Sequence, residues 1–170
     1  MRILLLTNNF TAKPFFARLV ADIFSAAGDS PTVAVIAKIH PCEDPRFYSD
    51  LSPSPNYSVE SGRLRDIARP GDVAIGVCTS AVLDCVELHL PAYVIDREVG
   101  CDTGFVESGL ATALFDNNGT LCTEFVDLLQ GTAVAAPPAE RDKQVEYYLG
   151  PKGDAFDREL QSLVAAALGD

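Results

Sequence analysis

The 170-residue sequence has no tryptophan, one methionine, two histidines, and only 13 lysines and arginines against 24 acidic residues. Its net charge of −11 excludes a broad nucleic-acid or anionic-membrane surface, because phosphate groups repel it. One small anionic ligand is still compatible, since backbone N–H groups can hold it locally. No apolar run approaches the roughly 20 residues needed to cross a bilayer. The opening run at 1–6 is broken by Thr7-Asn8-Asn9, too soon for a signal-peptide core. A cytoplasmic chain without a transmembrane segment is expected, and the sequons at Asn56 and Asn118 then carry no glycan.

Cys42, Cys78, Cys85, Cys101 and Cys122 are odd in number and lack the paired spacing of a zinc site. In a reducing compartment they are expected as small buried hydrophobes with free thiols. His40 and His89 cannot build a metal site alone, so neither a metal nor a cofactor is expected. What the chain does have is 48% hydrophobic residues with moderate charge. That is enough apolar surface for one packed domain over residues 1–170.

Short apolar runs read as strands at 2–7, 32–37, 57–59, 72–77, 92–95 and 111–115. Between and after them lie helical patterns: 15–27 closed by Gly28, a turn at 63–67, and helices at about 80–88, 120–129, 143–149 and 155–168. The strands are continuously apolar rather than alternating. This pattern predicts an α/β fold: a single Rossmann-like, doubly wound parallel sheet with helices on both faces. In such sheets ligands bind beyond the carboxyl ends of the strands.

Two familiar phosphate loops are missing there. No GxGxxG follows the first strand and no GxxxxGK[ST] occurs anywhere, which excludes an ordinary NAD-binding domain and a P-loop NTPase. The triplet Asp102-Thr103-Gly104 matches the aspartic-protease signature, but that motif needs an all-β setting.

Two other strand ends carry chemistry. After the second strand comes Lys38-Ile39-His40-Pro41-Cys42-Glu43-Asp44. His40, with Pro41 fixing the turn, can donate to a phosphate or nucleotide atom, and Glu43 can orient the ring or take a sugar hydroxyl. The same residues also suit a plain turn with a capping carboxylate. After the fourth strand comes Cys78-Thr79-Ser80-Ala81, with Asp84 one helical turn on. Its hydroxyls and free N–H groups suit a phosphate, and Asp84 a ribose hydroxyl. The alternative is an ordinary Ser80 N-cap and a solvated Asp84.

Together these residues resemble the C-terminal, donor-binding half of GT-B glycosyltransferases. Many polysaccharide-building members read about K-x-HP-x-E, then D-V-x-I-x-x-x-S-S-A-x-x-E-A-x-x-x-G-x-P-V. Here the matching stretches are 38–43 and 72–96. The His-Pro and Ser-Ser/Thr pairing is similar to bacterial sialyltransferases and polysialyltransferases, and to capsule and teichoic-acid transferases. The resemblance implies a nucleotide-sugar donor, CMP- or CDP-linked in preference to UDP-linked. His40, Pro41, Glu43, Thr79, Ser80, Ala81 and Asp84 would form the nucleotide-binding set.

Thr79 stands for the first Ser, Asp84 for a Glu, and His89-Leu90 where Gly and Lys are common. The acidic motif that supplies a general base in related sialyltransferases has no match, so no catalytic residue is assigned. A chain of this length holds one half only. It is expected either as a donor-binding subunit, which the Met1 start favours, working with a separate acceptor-binding half, or as a piece of a longer enzyme. Two further classes stay open: another Rossmann-like enzyme, of sugar-nucleotide epimerase or small hydrolase type, and a non-catalytic nucleotide-binding regulator.

Overall fold

The apolar run after Met1 forms strand β1 (Arg2–Leu6), whose Ile3, Leu4 and Leu5 are fully buried. This computed structural model describes residues 1–8, 11–28 and 32–135. By its contacts the chain divides into units 1–139 and 140–170. The second unit, with the helices expected at 143–149 and 155–168, lies outside the described residues.

Helix α1 (Lys13–Ala27) follows β1, with Pro14 in its first turn, where no N–H is missed. Phe16, Leu19, Val20, Ile23 and Ala27 form its buried stripe. It ends at Gly28, whose φ of 61° is a conformation that costs glycine little. Then come β2 (Ala34–Lys38), β3 (Tyr57–Glu60), α2 (Leu64–Ile67), β4 (Val73–Gly76), α3 (Ala81–Glu87), β5 (Ala92–Val94), β6 (Thr112–Ala113) and α4 (Thr123–Leu129).

All six strands join one sheet in the order β3-β2-β1-β4-β5-β6, and every neighbouring pair is parallel. The fold is Rossmann-like α/β. Burial explains the apolar patterns: β4 is buried at every position, whereas β3, at the sheet edge, alternates half-buried Tyr57 and Val59 with exposed Ser58 and Glu60.

The chain runs from β1 outward one way to β2 and from β4 outward the other way to β5. Right-handed crossovers must therefore put α1 and α3 on opposite faces. Packing agrees. Ile3, Leu5, Val35, Ile39, Val73, Ile75 and Tyr93 share one core with α1 and α4. Helix α3 packs on β4 and β5 across the sheet, with α2 beside it. Gly76 makes this fit: a Cβ there would collide with Val82 Cγ2 of α3.

The strand expected at 111–115 is only two residues long. Leu114 still donates to the Val94 carbonyl (2.9 Å), but Phe115 pairs antiparallel with Leu121 instead. Between them Asp116 closes a turn, its carboxylate accepting from the Asn118 amide (2.8 Å) and from the Thr120 amide (3.1 Å) and hydroxyl (2.7 Å). These bonds hold the Asp116 carboxyl below the usual carboxylate range, the Thr120 hydroxyl first among them. The turn occupies Thr120, so the helix expected from 120 starts at Thr123. No helix among the described residues is long and apolar enough to cross a membrane.

Candidate functional site

Register sets the site. Leu6 pairs with Lys38 on one side and with Gly76 on the other, Gly76 with Val94, and Val94 with Ala113. Lys38 also pairs with Glu60 at the end of β3, so all six strands end at one level. Between β1 and β4 the strand order reverses, the place where sheets of this kind take their ligands. Two strand spacings separate the ends of β2 and β4, about 10 Å. The two segments singled out from the sequence thus flank β1 at the carboxyl edge.

The β1–α1 connection is tied to the chain leaving β4. Asn8, buried, donates through Nδ2 to the Val77 carbonyl, and its Oδ1 accepts from the Thr11 amide (2.8 Å). The Thr7 amide donates to the Lys38 carbonyl (3.2 Å), continuing the ladder one residue past β1. The Thr7 hydroxyl donates to Glu43 Oε2 (2.6 Å).

Glu43 is an anchor of its own loop. Besides Thr7, its carboxylate accepts from the Tyr48 hydroxyl and from the His40 amide (2.9 Å). Tyr48 is almost fully buried, and burial, with the Glu43 hydrogen bond second, pushes its hydroxyl well above the usual acidity range. The carboxylate expected to orient the imidazole or take a sugar hydroxyl instead fastens the β2–β3 connection to β1.

His40 itself is exposed, as is Pro41. The His40 Nδ1 accepts from the Cys42 amide (3.2 Å), so the neutral ring carries its proton on Nε2 as a free donor. Asp44 binds the Arg46 guanidinium (2.6 Å), which holds its carboxyl below the usual range.

At the end of β4 the local chemistry differs from the expectation. Ser80 occupies the N-cap position, but its hydroxyl makes no cap bond, because its backbone is already helical (φ −67°, ψ −12°) rather than extended. The Thr79 hydroxyl takes the Ala81 amide instead (3.3 Å). Ser80 and Asp84 are both exposed, and Ala81 is half-buried.

The cysteine expectation is corrected here. Cys78 and Cys101 form a disulfide with a Cα–Cα distance of 5.9 Å, and Cys42, Cys85 and Cys122 are free. Cys78 leaves β4 in a left-handed conformation (φ 46°), and Cys101 lies in the β5–β6 connection. Sheet order brings these loops side by side, although 23 residues separate the cysteines.

Beyond the disulfide, at the carboxyl ends of β5 and β6, lies a cavity of about 450 Å³. Val94, Ala113 and Phe115 give it apolar walls; Asp96, Glu98, Asp102, Glu107 and Asp116 surround it with carboxylates. Asp96 Oδ2 accepts from the Thr103 amide (3.3 Å) and hydroxyl, whereas its Oδ1 is buried without a hydrogen-bond partner. This cavity repels phosphate and offers acceptors to hydroxyl or ammonium donors. Among the described residues no group of three or more His, Cys, Asp or Glu side chains is placed to hold a metal ion.

Sequence reasoning missed Thr7, Asn8, Tyr48 and Asp96. Three of them carried a common signal, polar residues following directly on an apolar strand: Thr7 and Asn8 after β1, and Asp96 after β5. In comparison with known proteins, the chain matches no protein family, no curated protein and no solved structure.

Proposed function

We propose that the chain binds a nucleotide-sugar at the carboxyl edge of its sheet, as the donor-binding half of a glycosyltransferase of surface-polysaccharide type. One observation carries this reading: the strand order reverses between β1 and β4, and the segments 38–43 and 77–81 flank that reversal. The His40 Nε2–H, the Thr79 hydroxyl and the exposed Ser80 hydroxyl are donors for phosphate oxygens. The acidic cavity beside them suits the sugar, because carboxylates accept from hydroxyls while turning phosphate away. The nucleotide is CMP or CDP in preference to UDP, on the resemblance of the His-Pro and Thr-Ser segments. Transfer needs a general base at the acceptor hydroxyl, which a separate acceptor-binding half supplies.

The experiment is thermal unfolding with CMP, CDP, UDP, ATP and NAD in parallel. A ligand at 100 times its Kd adds about 2.7 kcal/mol, a readable rise in Tm. Stabilisation by cytidine nucleotides, reduced in His40→Ala, is the expected result. A response to NAD alone, or to no nucleotide, contradicts the reading. The reading also places the chain in the cytoplasm, where the Cys78–Cys101 pair meets a reducing thiol pool. Trapping thiols in intact cells tests that placement: it predicts Cys78 and Cys101 alkylated, and finding them oxidised contradicts it.

A further inference from the structure

Lys38 is 8% exposed, and among the described residues its side chain makes no hydrogen bond and no ion pair. Arg2 meets Asp72, Lys13 meets Asp50 and Arg46 meets Asp44, whereas Lys38 shares its lack of an ion pair with Arg18, Arg63, Arg65 and Arg69 among the described residues. A lysine can bury its stem and keep its ammonium at the surface, where the charge remains available. A carboxylate was within the fold's reach. Glu60 on β3 is the register partner of Lys38, one strand spacing away, and stays unpaired with it. The fold covers the stem of this lysine and leaves its three donors without a protein acceptor.

Its position gives it a task. Lys38 is the last residue of β2, level with Leu6 and, across β1, with Gly76 at the end of β4. Alternation along β2 sends Val35 and Ile39 into the core under α1 and α4, so Lys38 faces the α3 side. Its charge reaches Cys85 on the buried face of α3, where it opposes the effect of burial on that thiol. Thr79 lies on the same side: its Cγ2 stands 3.4 Å from where a Gly76 Cβ would be. The ammonium and the Thr79 hydroxyl therefore share one face and one edge of the sheet, with β1 between their strands.

We infer that Lys38 is the anion-binding group at the strand-order reversal, its ammonium holding a phosphate oxygen of the ligand with Thr79 on the far side. This deepens the nucleotide reading above and rests on it for the identity of the ligand; the chemistry recognised is a phosphate or diphosphate. In a chain of net charge −11, a local cation with no carboxylate on it is what makes phosphate binding favourable. Charge-assisted bonds in such a site are shorter and stronger than neutral ones.

Calorimetric titration of the full chain with inorganic pyrophosphate and with CDP, at two salt concentrations, tests this. Wild type is expected to bind both; Lys38→Met, which keeps the stem, should weaken both by about ten- to a hundredfold, while Lys38→Arg retains most of the affinity. Pyrophosphate binding that depends on Lys38, with no binding of CDP, keeps the anion site and removes the nucleotide reading. Equal affinity of wild type and a folded Lys38→Met for both ligands overturns the role of Lys38 and leaves the nucleotide reading intact. Failure of wild type to bind either overturns both. If Lys38→Met does not fold, acetylation of the wild type decides: pyrophosphate must slow labelling of Lys38 but not of Lys13, and equal rates overturn the inference.

Discussion

Gly76 is a close junction between sheet and helix, and its replacement by alanine has a calculable outcome. The new Cβ would run into Val82 Cγ2, and Val94 Cγ1 stands 3.7 Å away on the neighbouring strand. Val82 is fully buried, so its methyl has nowhere to go without lifting α3 off β4. Overpacking of this kind costs about 1–3 kcal/mol. Val82→Ala alone removes two buried methyl groups and leaves a cavity, for about 2–3 kcal/mol. In the double variant the alanine methyl enters the space that valine vacates. The two costs should therefore not add: a coupling of about 1–2 kcal/mol is expected in favour of the double variant. Urea unfolding of wild type, both single variants and the double variant measures it. Additivity within about 0.5 kcal/mol, or a neutral Gly76→Ala, would refute the seating of α3 on Gly76.

Three further outcomes follow from the same structure. The purified chain, oxidised in air and denatured without reductant, should titrate three thiols and the reduced chain five; breaking the Cys78–Cys101 bond should cost about 3 kcal/mol by loop-closure entropy, and in the native state iodoacetamide should reach exposed Cys42 but not buried Cys85, whose thiol burial pushes up to about 12. Glu43→Gln should destabilise by about 1–3 kcal/mol in chemical unfolding, because its amide presents a second donor to groups already donating; a neutral result would mean that Thr7, Tyr48 and the His40 amide are not its partners. Asp116 is depressed in the folded state, so its contribution is present above the unfolded carboxyl range and lost as pH falls through the folded value. Amide exchange at Thr120 should therefore accelerate in acid in the wild type, and Asp116→Asn should abolish that pH dependence; an unchanged acid response in the variant would assign it elsewhere.

The central strands were legible because parallel, doubly covered strands must be continuously apolar, as in Ile3-Leu4-Leu5 and Val73-Ala74-Ile75. The strand order was not legible, since nothing local at Tyr57 says that it pairs beyond β2. Local turn chemistry overrode the pattern at 111–115, where Asp116 closes the chain on Thr120. Site residues divide the same way. His40 and Thr79 announce themselves by following strands. The role of Glu43 depends on distant residues, Thr7 and Tyr48, so spacing could not assign it. The disulfide joins two loops whose adjacency is a property of the sheet, and an odd cysteine count hid it.

The most direct measurement is a crystal structure of the chain soaked with CDP. The diphosphate is expected over the end of β1, within hydrogen-bonding distance of Lys38 Nζ and the Thr79 hydroxyl, with the His40 ring beside it. Density for the diphosphate in the acidic cavity between β5 and β6, or at the amino edge of the sheet, would contradict the site at the strand-order reversal.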